Sequence, residues 1–124
     1  MTDHQFSEKS NSKLDGVDER LVRVAALALQ LSPVDFGITE GVRTLERQKE
    51  LVKAGASRTL KSKHIEGKAI DVVAYVGGKV AWDWPLYEKI AKAFKQAAAE
   101  LDVNIKWGGD WATFKDGPHF QLED

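Results

Sequence analysis

The sequence predicts an α+β fold in which helices pack against an antiparallel sheet. Amphipathic helical segments come first, an apolar strand candidate lies at residues 69–76, and a long helix separates it from two short C-terminal strands. Helices and strands in this order are typical of α+β proteins.

The first long helix is expected to follow a polar N-terminal segment. Residues 1–14 are polar and include several Ser and Asn residues, so we expect them to form a flexible arm. Asp18 and Glu19 favour the start of a helix, because the helix dipole stabilises acidic side chains there. Apolar residues then recur at spacings of three and four until Pro33, which predicts a helix with one buried face.

The middle of the chain alternates between strand and helix signals. Residues 36–43 show strand-like alternation, and Thr44 is a good N-cap for a charged amphipathic helix over residues 45–54. Gly55 is suited to the end of that helix. A short strand and a short helix are therefore predicted here.

The C-terminal half contains the strongest strand signal and the longest helix. Residues 69–76 are followed by a Gly-Gly turn and a returning strand at residues 79–82. Pro85 suits the first turn of a helix that extends to about Leu101. Short strands at residues 104–107 and 119–122 complete the expected sheet.

The length and composition indicate a single domain without thiol chemistry. For 124 residues we expect one domain, over residues 15–124. The chain has no Cys, which excludes disulfides, thiolate metal sites and cysteine nucleophiles. We expect a monomer.

The charge balance gives no support for nucleic acid binding. The formal net charge is −1, whereas phosphate recognition usually requires a positive face. Arg58, Lys61, Lys63 and Lys68 form a local basic patch that is either a small binding feature or a solvated loop, the more common case. No apolar run is long enough for a transmembrane helix, and the polar start lacks a secretory signal. We therefore expect synthesis in the cytoplasm without membrane insertion.

The histidines and one aspartate are the first candidates for chemistry. His4 lies in the expected arm, which leaves His64 and His119 as ordered histidines. Asp71 stands inside an apolar strand, where a carboxylate is costly unless it is paired or bound to a cation. A structural salt bridge would explain Asp71 alone. A metal would explain Asp71 and His64 together, if a bend at Gly67 brings them close.

The last strand supplies the third candidate ligand and a candidate base. His119 and Gln121 are expected on one face, opposite Phe120 and Leu122. Two His and one Asp fit a catalytic zinc site with one position left for water. Asp116 would then take a proton from the attacking water, although an Asp-Gly-Pro sequence also serves as an ordinary turn.

Two further residues are candidates for substrate contacts. Arg43 would stabilise the charge that develops on a peptide carbonyl, or would form only a surface ion pair. Trp111, in a Gly-rich loop, is a candidate substrate wall, whereas Trp82 and Trp107 are expected in the core.

The motifs resemble those of a known family. Residues 62–71, SKHIEGKAID, resemble the Ser-x-His-x-x-Gly-x-Ala-x-Asp signature of the zinc D,D-peptidase and L-alanyl-D-glutamate peptidase family, which includes phage endolysins. An acidic residue three positions before a His is the second signature, matched by Asp116 and His119. An Arg that opens a helix with a Gln shortly after it resembles Arg43 and Gln48. The resemblance covers the chain from about residue 15 to the end.

The resemblance implies a fold, a metal and roles for individual residues. The implied fold is the Hedgehog/D,D-peptidase fold. Zn²⁺ is implied at His64, Asp71 and His119. Asp116 is implied as general base and Arg43 as the group that polarises the carbonyl, while Ser62 and Gln48 are implied to contact the substrate. Many members of the family carry Glu as the base, whereas some of its phage endolysins carry Asp. Asp116 therefore makes the chain resemble the endolysin branch.

The expected function is therefore hydrolysis of the L-Ala–D-Glu bond in peptidoglycan stem peptides by a phage endolysin. Such an enzyme would remain in the host cytoplasm until lysis and then act on the periplasmic cell wall. A D-Ala-D-Ala carboxypeptidase or dipeptidase is the first alternative, and a non-catalytic zinc-binding recognition module is the second. The spare carboxylate of Asp116 argues against the second.

Overall fold

The computed structural model describes residues 4–56, 62–113 and 115–123. Helices and antiparallel strands follow one another in the predicted order, preceded by one short helix that was not predicted, so the α+β prediction is confirmed. The described helices are α1 Glu8–Lys13, α2 Glu19–Leu31, α3 Leu45–Lys53 and α4 Trp84–Leu101. The described strands are β1 Asp35–Glu40, β2 Ala69–Val76, β3 Lys79–Ala81, β4 Ile105–Trp107 and β5 His119–Leu122.

The helix boundaries follow the capping residues. The Asp18 side chain accepts a hydrogen bond from the Arg20 backbone N–H and begins α2. Thr44 caps α3 in the predicted way, by accepting from the Arg47 backbone N–H. Helix α4 ends at Asp102, whose left-handed backbone (φ 55°) stops the helix. Local capping chemistry therefore sets where these helices begin and end.

The sheet has β2 at its centre. The strand order is β1-β2-β5-β4, and β3 pairs with the far end of β2, with every pairing antiparallel. Asp71 of β2 lies directly opposite His119 of β5. On the other edge of β2, Asp71 is the partner of Glu40 in β1, after a register shift between Ile38 and Glu40. The sheet register therefore places Glu40, Asp71 and His119 side by side in one polar row across the strands.

The hydrophobic core lies between one sheet face and helices α2 and α4. Phe94 of α4 stacks on Phe120 of β5, with ring centroids 3.9 Å apart. Ile70 and Val72 of β2 belong to this core, and strand alternation turns Asp71 to the opposite face. The polar row is thus built on the sheet face that the core leaves free.

Part of the polar N-terminal segment is helical and packs against β1. Residues 8–13 form α1, and the Ser10 hydroxyl, which is buried, accepts a hydrogen bond from the Ile38 backbone N–H at 3.0 Å. Phe6 packs edge-on against Phe36, with centroids 5.7 Å apart. One buried hydroxyl and one aromatic ring therefore join this segment to β1. The division into an arm and a single domain stays a prediction.

The positions of two tryptophans and a basic patch were also predicted from the sequence. Trp82 is 65% exposed rather than in the core, and its ring stacks on Tyr87, whereas Trp107 is buried as predicted. In the proposed basic patch, Arg58 and Lys61 lie outside the described residues. In the described part of the chain, no helix is long and apolar enough to cross a membrane.

Candidate metal-dependent active site

His64 reaches the site through a tight turn. Gly67 adopts φ +71°, and its N–H donates to the His64 carbonyl at 3.2 Å, so the chain folds back before β2 begins. A Cβ at position 67 would lie 2.7 Å from the Gly16 carbonyl oxygen, so glycine is required for space as well as for conformation. The predicted bend at Gly67 is confirmed.

The turn and the sheet together bring His64, Asp71 and His119 into one cluster. Asp71 Oδ1 lies 3.3 Å from His64 Nε2 and 3.2 Å from His119 Nδ1. One potential ligand atom from each residue lies within 4.8 Å of the other two. The structure therefore groups the three residues that the sequence predicted as metal ligands.

Each imidazole has its other ring nitrogen occupied by a protein acceptor. His64 Nδ1 lies 2.9 Å from the Gly41 carbonyl oxygen, so Nδ1–H donates and Nε2 is left with its lone pair. His119 Nε2 lies 2.8 Å from Gln121 Oε1, which leaves the lone pair on Nδ1. In the neutral rings, the nitrogen nearest Asp71 Oδ1 is therefore the one with a lone pair for a metal ion, and an acceptor on the other N–H is usual for metal-binding histidines.

The cluster fits a metal ion. His64 Nε2 is buried and has no hydrogen-bond partner, an unfavourable state that a metal ion would relieve. Tetrahedral zinc with metal–ligand distances of about 2.0–2.1 Å separates its ligands by roughly 3.3 Å, close to the two nitrogen–oxygen distances here. The two-nitrogen, one-oxygen donor set is one that catalytic zinc sites use. His64, Asp71 and His119 could therefore hold a metal ion.

The electrostatics of the cluster favour an ionised Asp71. Burial raises the pKa of Asp71, but the neighbouring His119 and His64 rings, which donate to Asp71 and carry positive charge when protonated, outweigh burial, so the pKa falls well below its usual range. Burial lowers the pKa of His119, yet its hydrogen bond to Asp71 and the Asp71 charge raise it overall. A proton and a metal ion therefore compete for the same anionic cluster.

Asp116 lies beside the cluster without belonging to it. Burial and the charge of Asp71 raise the pKa of Asp116, against the lowering effects of His119, His64 and Arg43. Its backbone N–H donates to the Gly108 carbonyl at 3.0 Å. A Cβ at position 108 would lie 2.4 Å from the Asp116 carbonyl oxygen, so glycine permits this close approach. A carboxylate with a raised pKa beside a candidate metal site is suited to accept a proton.

Arg43 is held inside the protein rather than displayed to solvent. Its side chain is 9% exposed, with Nε 2.5 Å from Glu40 Oε1 and Nη2 2.9 Å from Glu40 Oε2. Nη1 donates to Gln48 Oε1 at 2.6 Å, and Nη2 lies 3.7 Å from Asp71 Oδ2. Arg43 therefore does not form the surface ion pair that the sequence left open. It belongs to a largely buried network that extends to Asp71.

The three predicted substrate contacts occupy different positions. Gln48 is fully buried and holds Arg43, so it does not face a substrate in this structure. The Ser62 hydroxyl accepts a hydrogen bond from the His64 backbone N–H at 3.2 Å and is half-buried. The half-buried Trp111 ring lies 5.0 Å from the His119 ring, which places it at the edge of the cluster.

Sequence reasoning missed two side chains of the site. Gln121 was placed on the face of His119 by strand alternation, but its hydrogen bond to the ring could not be deduced from spacing. Glu40 gave no signal, because the register shift that turns it towards Asp71 is not visible in the sequence. Its position three residues before Arg43 was the one available hint of an ion pair.

Comparisons with known proteins point to one family. A family model described as phage L-alanyl-D-glutamate peptidase matches residues 2–122. The chain is 40% identical over 111 residues to the L-alanyl-D-glutamate peptidase of Escherichia phage T5, covering 86% of this chain and 81% of that protein. It is 42% identical over 89 residues to the enzyme of the same name from Listeria phage A118, where the match spans 72% of this chain but 31% of that protein.

A solved structure matches nearly the whole chain. The crystal structure of the Serratia marcescens L-Ala D-Glu endopeptidase ChiX superposes with a TM-score of 0.92 at 48% sequence identity. The superposition covers 98% of this chain and 92% of that one. The likeness therefore extends over the fold and the sequence together.

Proposed function

Because the chain belongs to the phage L-alanyl-D-glutamate peptidase family, we propose that it is a zinc-dependent endopeptidase that cleaves the L-Ala–D-Glu bond of peptidoglycan stem peptides. The observation that carries the proposal is the cluster of two imidazole nitrogens and one carboxylate oxygen around a buried, unpartnered His64 Nε2. The names of the relatives supply the bond, and the resemblance of the sequence motifs supplies the polymer.

His64, Asp71 and His119 would hold the zinc ion in this proposal. When bound, zinc supplies a Lewis acid that polarises the scissile carbonyl and makes the attacking water more acidic. Gly41 and Gln121 keep the imidazoles in the tautomers that present a lone pair to the cluster. The protein thus prepares the donor set before the ion arrives.

Asp116 acts as the general base. Its carboxylate accepts the proton of the attacking water and then returns it to the leaving D-Glu amine, so that one proton is conserved through the reaction. Its raised pKa brings its proton affinity closer to that of the water it serves. Asp71 cannot take this role, because its lowered pKa and its two imidazole contacts commit it to the cluster.

Arg43 contributes positive charge to the site rather than hydrogen bonds to the substrate, because Glu40 and Gln48 hold its guanidinium nitrogens. Its guanidinium lies 3.7 Å from Asp71 Oδ2, so its field extends over the site where the carbonyl oxygen becomes negative. Trp111 forms one wall beside His119 and Ser62 lies at the start of the His64 turn, where each could contact the stem peptide. These substrate contacts are part of the proposal.

We further propose that the protein acts as a monomeric phage endolysin. It would be retained in the host cytoplasm until lysis and would then meet the periplasmic cell wall. The phage relatives favour this setting.

Product analysis after digestion of purified peptidoglycan tests the proposal. Zinc-loaded protein should release fragments with a new L-Ala carboxyl group and a new D-Glu amino group, identified by mass spectrometry. Release of a terminal D-Ala alone would indicate a carboxypeptidase with the same metal site. Zinc binding without any new termini would favour a recognition module.

A further inference from the structure

The position of Glu40 depends on an irregularity in strand β1. Ile38 is the partner of Val72, but the next registered pair is Glu40 with Asp71, so two residues of β1 span one step of β2. Without this bulge, simple alternation would place Thr39 opposite Asp71 and would turn Glu40 to the other face. Bulges often re-aim a side chain next to a functional site.

Glu40, oriented by the bulge, accepts hydrogen bonds from Arg43 on both carboxylate oxygens. The two contacts, at 2.5 and 2.9 Å, use Nε and Nη2 and form a planar fork. Gln48 holds the third nitrogen, Nη1, at 2.6 Å from a fully buried position on α3. All three guanidinium nitrogens are therefore fixed by β1 and α3.

The fixed guanidinium and the two imidazoles contact different oxygens of Asp71. Arg43 Nη2 lies 3.7 Å from Oδ2, whereas the two imidazoles share Oδ1 at 3.3 and 3.2 Å. The two carboxylate oxygens thus have different neighbours, one cationic and one formed by the other metal ligands. A carboxylate held in this way would bind a metal through one oxygen.

We propose that Glu40 and Gln48 are positioning residues that hold Arg43 against the outer oxygen of Asp71, so that Asp71 offers a single oxygen to the metal. The inference rests on the proposed zinc site and deepens it. It assigns a role to Glu40 and moves Gln48 from substrate contact to metal-site support. A one-oxygen Asp71 keeps the coordination number low and leaves a position open for water.

The buried positive charge of Arg43 also requires an acidic partner such as Glu40. A guanidinium that is 9% exposed is costly to bury without compensation, and Glu40 supplies the opposite charge. Residues that orient metal ligands typically change metal affinity by about 10–100-fold when they are replaced.

The experiment compares Glu40→Gln and Gln48→Met with Glu46→Gln as the matched control. Glu40→Gln removes the negative charge and one acceptor oxygen with little change in shape, and Gln48→Met removes the acceptor of Nη1 at similar volume. Glu46 is exposed in the first turn of α3, so its replacement changes the net charge equally without touching the network. Circular dichroism establishes that each variant is folded.

Zinc affinity, measured by competition with a chromophoric chelator, is the first readout. We expect Glu40→Gln and Gln48→Met to bind zinc about 10–100-fold more weakly than wild type, and Glu46→Gln to match wild type. Cobalt absorption is the second readout, since Co²⁺ absorbs more weakly when its coordination number rises from four to five. The absorption should fall in Glu40→Gln as Asp71 brings in its second oxygen.

Wild-type zinc affinity in both folded variants, with unchanged cobalt spectra, would overturn the inference. A loss in Glu46→Gln equal to that in Glu40→Gln would also overturn it, because net charge alone would then explain the effect. Failure of wild type itself to bind zinc would instead remove the proposed function. The two failures are therefore distinguishable.

Discussion

Each predicted metal ligand has a protein partner that determines which atom it presents. The Gly41 carbonyl orients His64, the Gln121 amide oxygen orients His119, and Arg43 faces the outer oxygen of Asp71. Such partners fix tautomers and ring orientations, which makes the ligand set rigid before a metal binds. The chemistry therefore depends on more residues than the three ligands.

His119 predicts how the stability of the zinc-free protein depends on pH. Its pKa in the folded state is raised above 6.5, because Asp71 and Gln121 outweigh the lowering effect of burial. Protonation of His119 therefore contributes stability that is fully present below the unfolded pKa, about 6.5, and is lost as pH rises through the folded pKa. Urea denaturation of the zinc-free protein should show a falling free energy of unfolding above about pH 6.5.

His119→Gln is the control for that pH dependence. Asp71 stays ionised across this window because its own pKa is lowered, so it adds no slope. The variant should show a flatter dependence than wild type. Equal slopes in the two proteins would contradict the assignment to His119.

At the level of the elements, the turn at Gly67 carries His64 to the sheet. Gly67→Ala would force a positive φ on alanine and would bring its Cβ within 2.7 Å of the Gly16 carbonyl oxygen. We expect a loss of about 1–3 kcal/mol in the free energy of unfolding and weaker zinc binding, because the turn must shift. Chemical denaturation and chelator competition measure the two effects.

Gly77→Ala is the matched control for the turn. Gly77 also has a positive φ, +58°, but a Cβ there would meet nothing within 4 Å, and it lies between β2 and β3. This variant should lose stability through backbone strain while retaining wild-type zinc affinity. Equal losses of zinc affinity in both variants would show that general destabilisation, not the turn, controls the site.

The elements also show what the sequence could and could not predict. Strand 69–76, the Thr44 cap and the bend at Gly67 were predictable, because hydrophobic pattern, capping chemistry and glycine act over a few neighbouring residues. The β1 bulge was not predictable, since it depends on how two distant strands align. The signature residues predicted the ligands, whereas the bulge determines what surrounds Asp71.

Exposure was the other quantity that local pattern misjudged. Trp82 was expected in the core because large aromatic side chains usually are buried, yet it follows β3 at the surface and is 65% exposed. Gln48 was not predicted to be buried, yet it is fully buried where Arg43 turns inward to meet it, and its contact with a substrate stays a prediction. Both positions are set by tertiary packing rather than by secondary structure.

At the scale of the whole molecule, the site connects parts of the chain that are distant in sequence. His64 lies in the loop before β2, Asp71 in β2 and His119 in β5, while helices α2 and α4 support the opposite face of the sheet. A metal ion at this point would therefore join the loop to two strands. Ligand binding to the folded state alone stabilises that state by mass action.

Zinc should accordingly raise the melting temperature of the protein. A free zinc concentration 1,000-fold above the dissociation constant adds about 4.1 kcal/mol to the free energy of unfolding. For a domain of this size we expect a rise of roughly 10–25 °C. Differential scanning calorimetry with zinc and with chelator measures it, and Asp71→Asn should lose most of the shift. Equal melting temperatures in zinc and in chelator would contradict binding at this cluster.

The most direct test of the central claim measures bound zinc and peptidoglycan digestion in parallel for wild type and Asp116→Ala. Both proteins should carry about one zinc ion per chain, because Asp116 lies beside the ligand cluster and is not part of it. Digestion by Asp116→Ala should fall by about 10²–10⁴-fold, as expected for removal of a general base. Absence of zinc from wild type, or full digestion by Asp116→Ala, would contradict the account.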